Sequence, residues 1–125
     1  MDILMIQTQG RVPVTVMRIE GHLNLGSAEQ LEQQAKQAYA NGTRYLLVDF
    51  AQVTSLTSAG MRALLAIAKM LGTGPVRDAK SPYLKFLNPP PQILNVLRMA
   101  GFTAFIEIFT DEQQAIASFE PVSAA

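Results

Sequence analysis

One hydroxyl in this chain stands where an added charge would have consequences. Ser58 follows the polar run over residues 52–57 and opens a helical apolar pattern of Met61, Leu64, Leu65, Ala68 and Leu71. A serine at the mouth of a helix lies beside free backbone N–H groups and the positive end of the helix dipole, so a phosphate can be accommodated there. Phosphorylation adds about −1.5 to −2 charges and three acceptor oxygens to a surface that was neutral and apolar, and a partner burying that surface would be expelled. The same position also suits an ordinary N-cap, with the Ser58 side chain accepting the N–H of Gly60 or Met61. Local chemistry taken alone favours the cap.

His22, Asp49 and Ser58 would make a nucleophilic triad if all three reached one edge of a sheet. Ser58-Ala59-Gly60 lacks the leading glycine of a nucleophile elbow, so no catalysis is expected and the chain reads as a non-enzyme. His22 then reads as a partly exposed turn residue, and Asp49 as a cap for loop N–H groups or a residue facing the Ser58 region. A single histidine, no cysteine and carboxylates without ligand spacing leave no metal site to expect. Gly72-Thr73-Gly74 lacks the Gly-Lys-Ser/Thr ending of a phosphate loop, and no cofactor is expected. Met61, one turn past Ser58, is placed to adapt to a docking surface, and Arg62 beside it reads as a rim charge that speeds docking. Met70, Met99, Phe102 and Phe105, by contrast, read as core.

The elements that must position these residues follow from periodicity. Residues 12–20 alternate apolar and polar in the manner of a half-buried strand, with residues 3–6 as its hairpin partner across Gln9-Gly10-Arg11. Ser27, with Gln30 three residues on, has capping-box spacing and predicts a helix from about residue 28 that buries Ala28, Leu31, Ala35 and Ala38 and ends at Asn41-Gly42. Residues 45–50 form a short apolar run that suits a central strand buried on both faces. The Ser58 helix closes at Gly72, and residues 72–82, rich in glycine, proline and charge, read as an exposed loop. Residues 83–87 predict a strand. Pro89-Pro90-Pro91 can only open a helix, whose stripe is Ile93, Val96, Leu97 and Ala100. Residues 105–109 predict a last strand, and Asp111 with Gln114 caps a closing helix to about Glu120. The order β-β-α-β-α-β-α-β-α calls for an α/β layered domain with mostly parallel neighbours and one antiparallel pair at the start.

At 125 residues, with 49% hydrophobic and 16% charged, the chain fits one ordered domain over residues 1–120 and a short flexible tail over 121–125. Ten basic and ten acidic residues cancel without clustering, which excludes the electrostatic footprint of nucleic-acid binders. The absence of cysteine fits a reducing compartment, and no apolar run is long enough to span a bilayer, so a cytoplasmic location without membrane insertion is expected.

Residues 48–60, Val-Asp-Phe-Ala-Gln-Val-Thr-Ser-Leu-Thr-Ser-Ala-Gly, followed by Leu64-Leu65, resemble the signature of the STAS family, named for sulfate transporters and anti-sigma factor antagonists. In that signature a hydrophobic strand and an aspartate are followed by Asp-Ser-Ser-Gly opening an apolar helix. Gly21-His22-Leu23-Asn24 resembles the family's Gly-x-Leu-Asp turn, and residues 88–102 resemble its third helix. The resemblance implies a single domain built on a mixed, mostly parallel sheet of about five strands with about four helices. It places the family's phosphorylated serine on Ser58, with Thr57 where an aspartate is usual and an alternative acceptor, Ala59 where a second serine is common, Gly60 retained, and Asn24 in place of an aspartate. The partner-binding group it implies is Asn24, Thr57, Ser58, Ala59, Gly60, Met61 and Arg62, supported by Asp49 and His22.

The function implied is that of a bacterial anti-sigma factor antagonist. Its partners would be an anti-sigma factor that is a serine kinase and a matching phosphatase, and it would free a sigma factor without touching DNA. The competing readings are a scaffold or sensor module of a signalling or transport assembly, and a nucleotide-binding domain.

Overall fold

The amino-terminal apolar runs form the expected hairpin: β1 (Asp2–Gln9) lies antiparallel to β2 (Pro13–Leu23), with Ile6 opposite Val16 and Leu4 opposite Arg18. The computed structural model describes residues 2–72 and 80–122, so most of the loop expected over residues 72–82 and residues 123–125 of the expected tail lie outside the described residues. After the hairpin come α1 (Leu25–Ala40), β3 (Leu46–Leu56), α2 (Ser58–Met70), β4 (Leu84–Leu87), α3 (Pro91–Met99), a 3-10 turn (Phe102–Ala104), β5 (Glu107–Phe109) and α4 (Glu112–Ser118). The strands lie in chain order in one sheet, and every pairing after the first is parallel.

Alternation along the strands divides the core in two. Met17, Ile19, Leu46, Val48, Phe50 and Phe86 point to the face covered by α1, α2 and α3, where they meet Leu31, Leu64, Ile67 and Leu97. Val14, Val16, Leu47 and Leu87 point to the other face and meet Ala115, Ile116 and Phe119 beside α4. With helices on both sides, all four residues of β4 are buried, which its short alternation did not foretell.

Several boundaries differ from the sequence expectation for physical reasons. β2 continues to Leu23 and β3 to Leu56, because Glu20 to Leu23 pair with Gln52 to Leu56 through two register irregularities, and Val53 is buried although its neighbours are polar. α1 begins at Leu25, since Asn24 rather than Ser27 is the N-cap: its side chain accepts the Ser27 N–H, and Ser27 Oγ accepts the Asn24 N–H in return. At the other end Gly42, with φ of +108°, takes the left-handed conformation that stops the helix. On α1 Ala28, Leu31 and Ala35 are buried and Ala38 only half-buried. Ala100 and Met99 are exposed, not core, because α3 has turned its stripe of Ile93 and Leu97 inward. Phe105 and Ile106 precede β5 instead of joining it, and α4 stops at Ser118.

Lys85 is buried in β4 to 6% exposure, where Nζ donates to Ser118 Oγ (2.8 Å) and to the Ser118 carbonyl (3.2 Å) at the end of α4, with Glu107 at 3.4 Å. A cation at a helix carboxyl end meets the negative end of the dipole, and the Phe109 and Phe119 rings flank it. Lys85→Ala is therefore predicted to cost about 1.5–3 kcal/mol, the usual loss for hydrogen bonds to a charged group, measured by urea denaturation. Hydrogen exchange in the same variant should show faster opening at residues 112–118.

Candidate functional site at the carboxyl ends of β2 and β3

The parallel strands β2 and β3 end side by side at Leu23 and Leu56, the edge where α/β sheets present their ligand-facing loops. The Leu23 carbonyl fixes the start of α2 by accepting the Thr57 N–H at 3.0 Å and the Thr57 hydroxyl at 3.1 Å. Thr57 Oγ1 in turn accepts the Gly60 N–H at 3.4 Å, so Thr57 is the N-cap. This corrects the expectation that Ser58 caps the helix. Ser58 is the first helical residue, it is exposed, and no hydrogen bond to its hydroxyl is found among the described residues.

Gly60 is buried under the Leu23 turn, and a Cβ placed on it would lie 2.7 Å from the Leu23 carbonyl oxygen and from Leu23 Cγ. The glycine is what lets α2 approach the end of β2 so closely. Ala59 and Met61 are half-buried, and Met61 packs against the core, so it is less exposed than a free docking side chain would be. Arg62 is exposed, makes no ion pair among the described residues, and shares with Leu25, Ala28, Glu29 and Ala59 a shallow groove between α1 and α2. Asn24, committed to its cap, stands on the neighbouring turn.

The structure does not assemble the triad. His22 is exposed at the end of β2, with Nδ1 at 2.8 Å from Ser55 Oγ and 3.2 Å from Thr54 Oγ1. It lines a polar cleft with Asp2, Glu20, Asn24, Gln30 and Gln52, away from Ser58. Asp49 accepts the Ala51 N–H at 2.9 Å and lies 3.4 Å from Arg18 Nε, and Arg18 also pairs with Glu112 of α4. Asp49 therefore serves the α4 face and is not brought to the start of α2.

Leu25, 76% exposed at the rim of the groove, was missed in the sequence because the start of α1 was placed too late. The signal was present: Asn24 has Ser27 three residues on, a capping spacing one turn before the Ser27–Gln30 pair.

Because Thr57 both donates to Leu23 and caps α2, Thr57→Ala is predicted to cost about 1–2 kcal/mol, the upper part of the range for a lost N-cap. Urea unfolding of the two proteins measures it, and Ser58→Ala should change stability by less than about 0.5 kcal/mol, as surface substitutions do.

The STAS domain family matches residues 4–115, so this mostly parallel five-stranded domain belongs to the STAS family. BtrV of Bordetella bronchiseptica, provisionally named an anti-sigma factor antagonist, is 26% identical over 102 residues, covering 82% of this chain and 83% of its own. In fold the chain is similar to an anti-sigma factor antagonist from Mycobacterium paratuberculosis, with a TM-score of 0.74 at 19% identity over 94% of both chains. It is also similar to the unphosphorylated anti-sigma factor antagonist SpoIIAA (TM-score 0.72, 20% identity, 92% of this chain and 93% of that one). The phosphorylated form of the Bacillus SpoIIAA matches at a TM-score of 0.66, 19% identity, and 92% and 96% coverage. No helix among the described residues is long and apolar enough to cross a membrane.

Proposed function

We propose that the chain is a cytoplasmic anti-sigma factor antagonist that binds an anti-sigma factor through the start of α2 and is released when Ser58 is phosphorylated. The anti-sigma factor would be a serine kinase, and a matching phosphatase would restore binding. The observation that carries this reading is the contrast between two adjacent hydroxyls. Both residues are exposed, but Thr57 is held by Leu23 and spent on the Gly60 N–H, while the Ser58 hydroxyl makes no hydrogen bond among the described residues.

A phosphate on Ser58 would meet the positive end of a helix whose first turn contains no acidic residue, so the modified domain stays folded. Arg62, one turn along the same side, can face the phosphate without giving up another partner among the described residues. The change falls on the binding surface and not on the core, which is what a reversible switch requires. Neither Thr57 nor Asn24 carries the charge an aspartate would bring, so the surface is less acidic in its resting state. The nucleotide-binding reading is weaker, because the polar cleft at His22 carries Asp2 and Glu20 and, among the described residues, no lysine or arginine to meet a phosphate.

Peptide mapping by mass spectrometry of the protein recovered from its source cells tests the assignment. The expected result is a phosphate on Ser58, with Thr57 unmodified. A phosphate found only on Thr57, or none under any growth condition, would remove the proposed switch.

A further inference from the structure

Among the described residues, the outer edge of β1 carries none of the usual protections of a strand edge. Strand edges in soluble proteins are ordinarily blunted by lysine, proline, a bulge or a covering element. Residues 3–9, Ile-Leu-Met-Ile-Gln-Thr-Gln, contain neither proline nor charge, β1 pairs with β2 without a register break, and among the described residues no strand pairs with its outer side. Leu4 is 56% exposed on the face that α4 leaves open.

The direction of the free backbone groups follows from one hydrogen bond. Thr15 N–H donates to the Tyr45 carbonyl on the β3 side, so the odd residues of β2 face β3 and Val14 and Val16 face β1. Their partners Thr8 and Ile6 face β2, which turns the N–H and C=O groups of Ile3, Met5, Gln7 and Gln9 outward. Four outward residues in a row are a template for one more antiparallel strand.

We infer that this edge pairs with the β1 of a second copy, antiparallel about a two-fold axis at Ile6, to give a continuous ten-stranded sheet. In that register Ile3 pairs with Gln9 of the second copy and Met5 with Gln7, four narrow pairs in all and about eight backbone hydrogen bonds. The charges decide for self-pairing. Asp2 at one end of the strand and Arg11 in the turn past the other are both exposed and opposite in sign, and antiparallel pairing brings each near the other's counterpart, with Arg11 exchanging its solvent-exposed pair with Glu120 (3.0 Å) for Asp2 of the second copy. Nothing charged lies between them to repel. The two-fold axis sends the carboxyl ends of β2 and β3 to opposite sides of the long sheet, leaving both Ser58 sites open.

The chain contains no cysteine, which makes the register testable. Across the axis Ile6 faces its own copy in a non-hydrogen-bonded pair with Cα atoms about 4.5 Å apart, within disulfide reach, while Leu4 faces Thr8. Sedimentation equilibrium of the full chain should show a concentration-dependent monomer–dimer equilibrium, weakened at least tenfold in Gln7→Lys. Under mild oxidation Ile6→Cys should crosslink to a dimer and Leu4→Cys should remain mostly monomeric, with circular dichroism showing both folded. A monomer at every concentration, equal crosslinking of the two variants, or open-ended assembly beyond the dimer would overturn the inference.

Discussion

Aspartate at position 58 is expected to lower affinity for the anti-sigma partner about a hundredfold or more, about 2.7 kcal/mol, while leaving the domain as stable as the wild type or slightly more so. The two effects have separate causes. At the first position of α2 a carboxylate faces the positive end of the helix dipole, a gain of about 0.3–1 kcal/mol, and no other acidic residue in the first turn competes with it. Ser58 makes no side-chain hydrogen bond among the described residues that the substitution could break. At an interface the same carboxylate must be stripped of water against a surface shaped for a neutral hydroxyl, and an unpaired buried charge costs about 2–5 kcal/mol. Aspartate carries less charge than phosphoserine, so the modified protein should lose still more. Thermal melts and titration calorimetry on the same samples separate the terms. A folded variant that binds as tightly as wild type would place the interface elsewhere.

Gly60→Val is expected to destabilise the domain by about 3 kcal/mol and to abolish partner binding as well. The added Cβ would lie 2.7 Å from the Leu23 carbonyl oxygen and 2.9 Å from Leu56 Cδ1. Leu56 can rotate away, but the carbonyl belongs to the backbone of β2 and already accepts both Thr57 hydrogen bonds. α2 must move outward, which breaks those bonds and shifts Ser58 with them, and overpacking of this kind costs about 1–3 kcal/mol before the lost cap is counted. Gly26→Ala is the control. There the nearest atom is Asn24 Oδ1 at 3.6 Å, an ordinary contact, and removing a glycine from a helix should leave stability unchanged or raise it by up to about 1 kcal/mol. Equal melting temperatures for Gly60→Val and wild type would show that the helix is not held by this close approach.

Much of the fold was legible because apolar residues recur at the spacing their elements require. The stripe of Leu31 and Ala35 on α1, that of Leu64 and Ala68 on α2, though not Leu65, which is exposed, and the apolar Leu46 to Val48 of β3 each followed from burying one face, or both, of a regular element. What stayed hidden was set by partners distant in sequence. β3 runs on through polar residues because Glu20 to Leu23 lie alongside to pair with them. The cap of α2 passed from Ser58 to Thr57 because the Leu23 carbonyl, from the end of another strand, holds the threonine in place. Asp49 left the Ser58 group for the same kind of reason, since Arg18 across the sheet claims it together with Glu112. The resemblance located the serine in the chain, and only the geometry showed which of the two neighbouring hydroxyls is free.

Affinity capture from a lysate of the source organism distinguishes a switch from a scaffold with three baits: wild type, Ser58→Ala, and protein carrying phosphoserine at position 58. An anti-sigma factor of the serine-kinase kind should be retained by the first two and absent from the third. The same partners on all three baits would contradict the switch and make Ser58 an ordinary surface residue of a STAS scaffold.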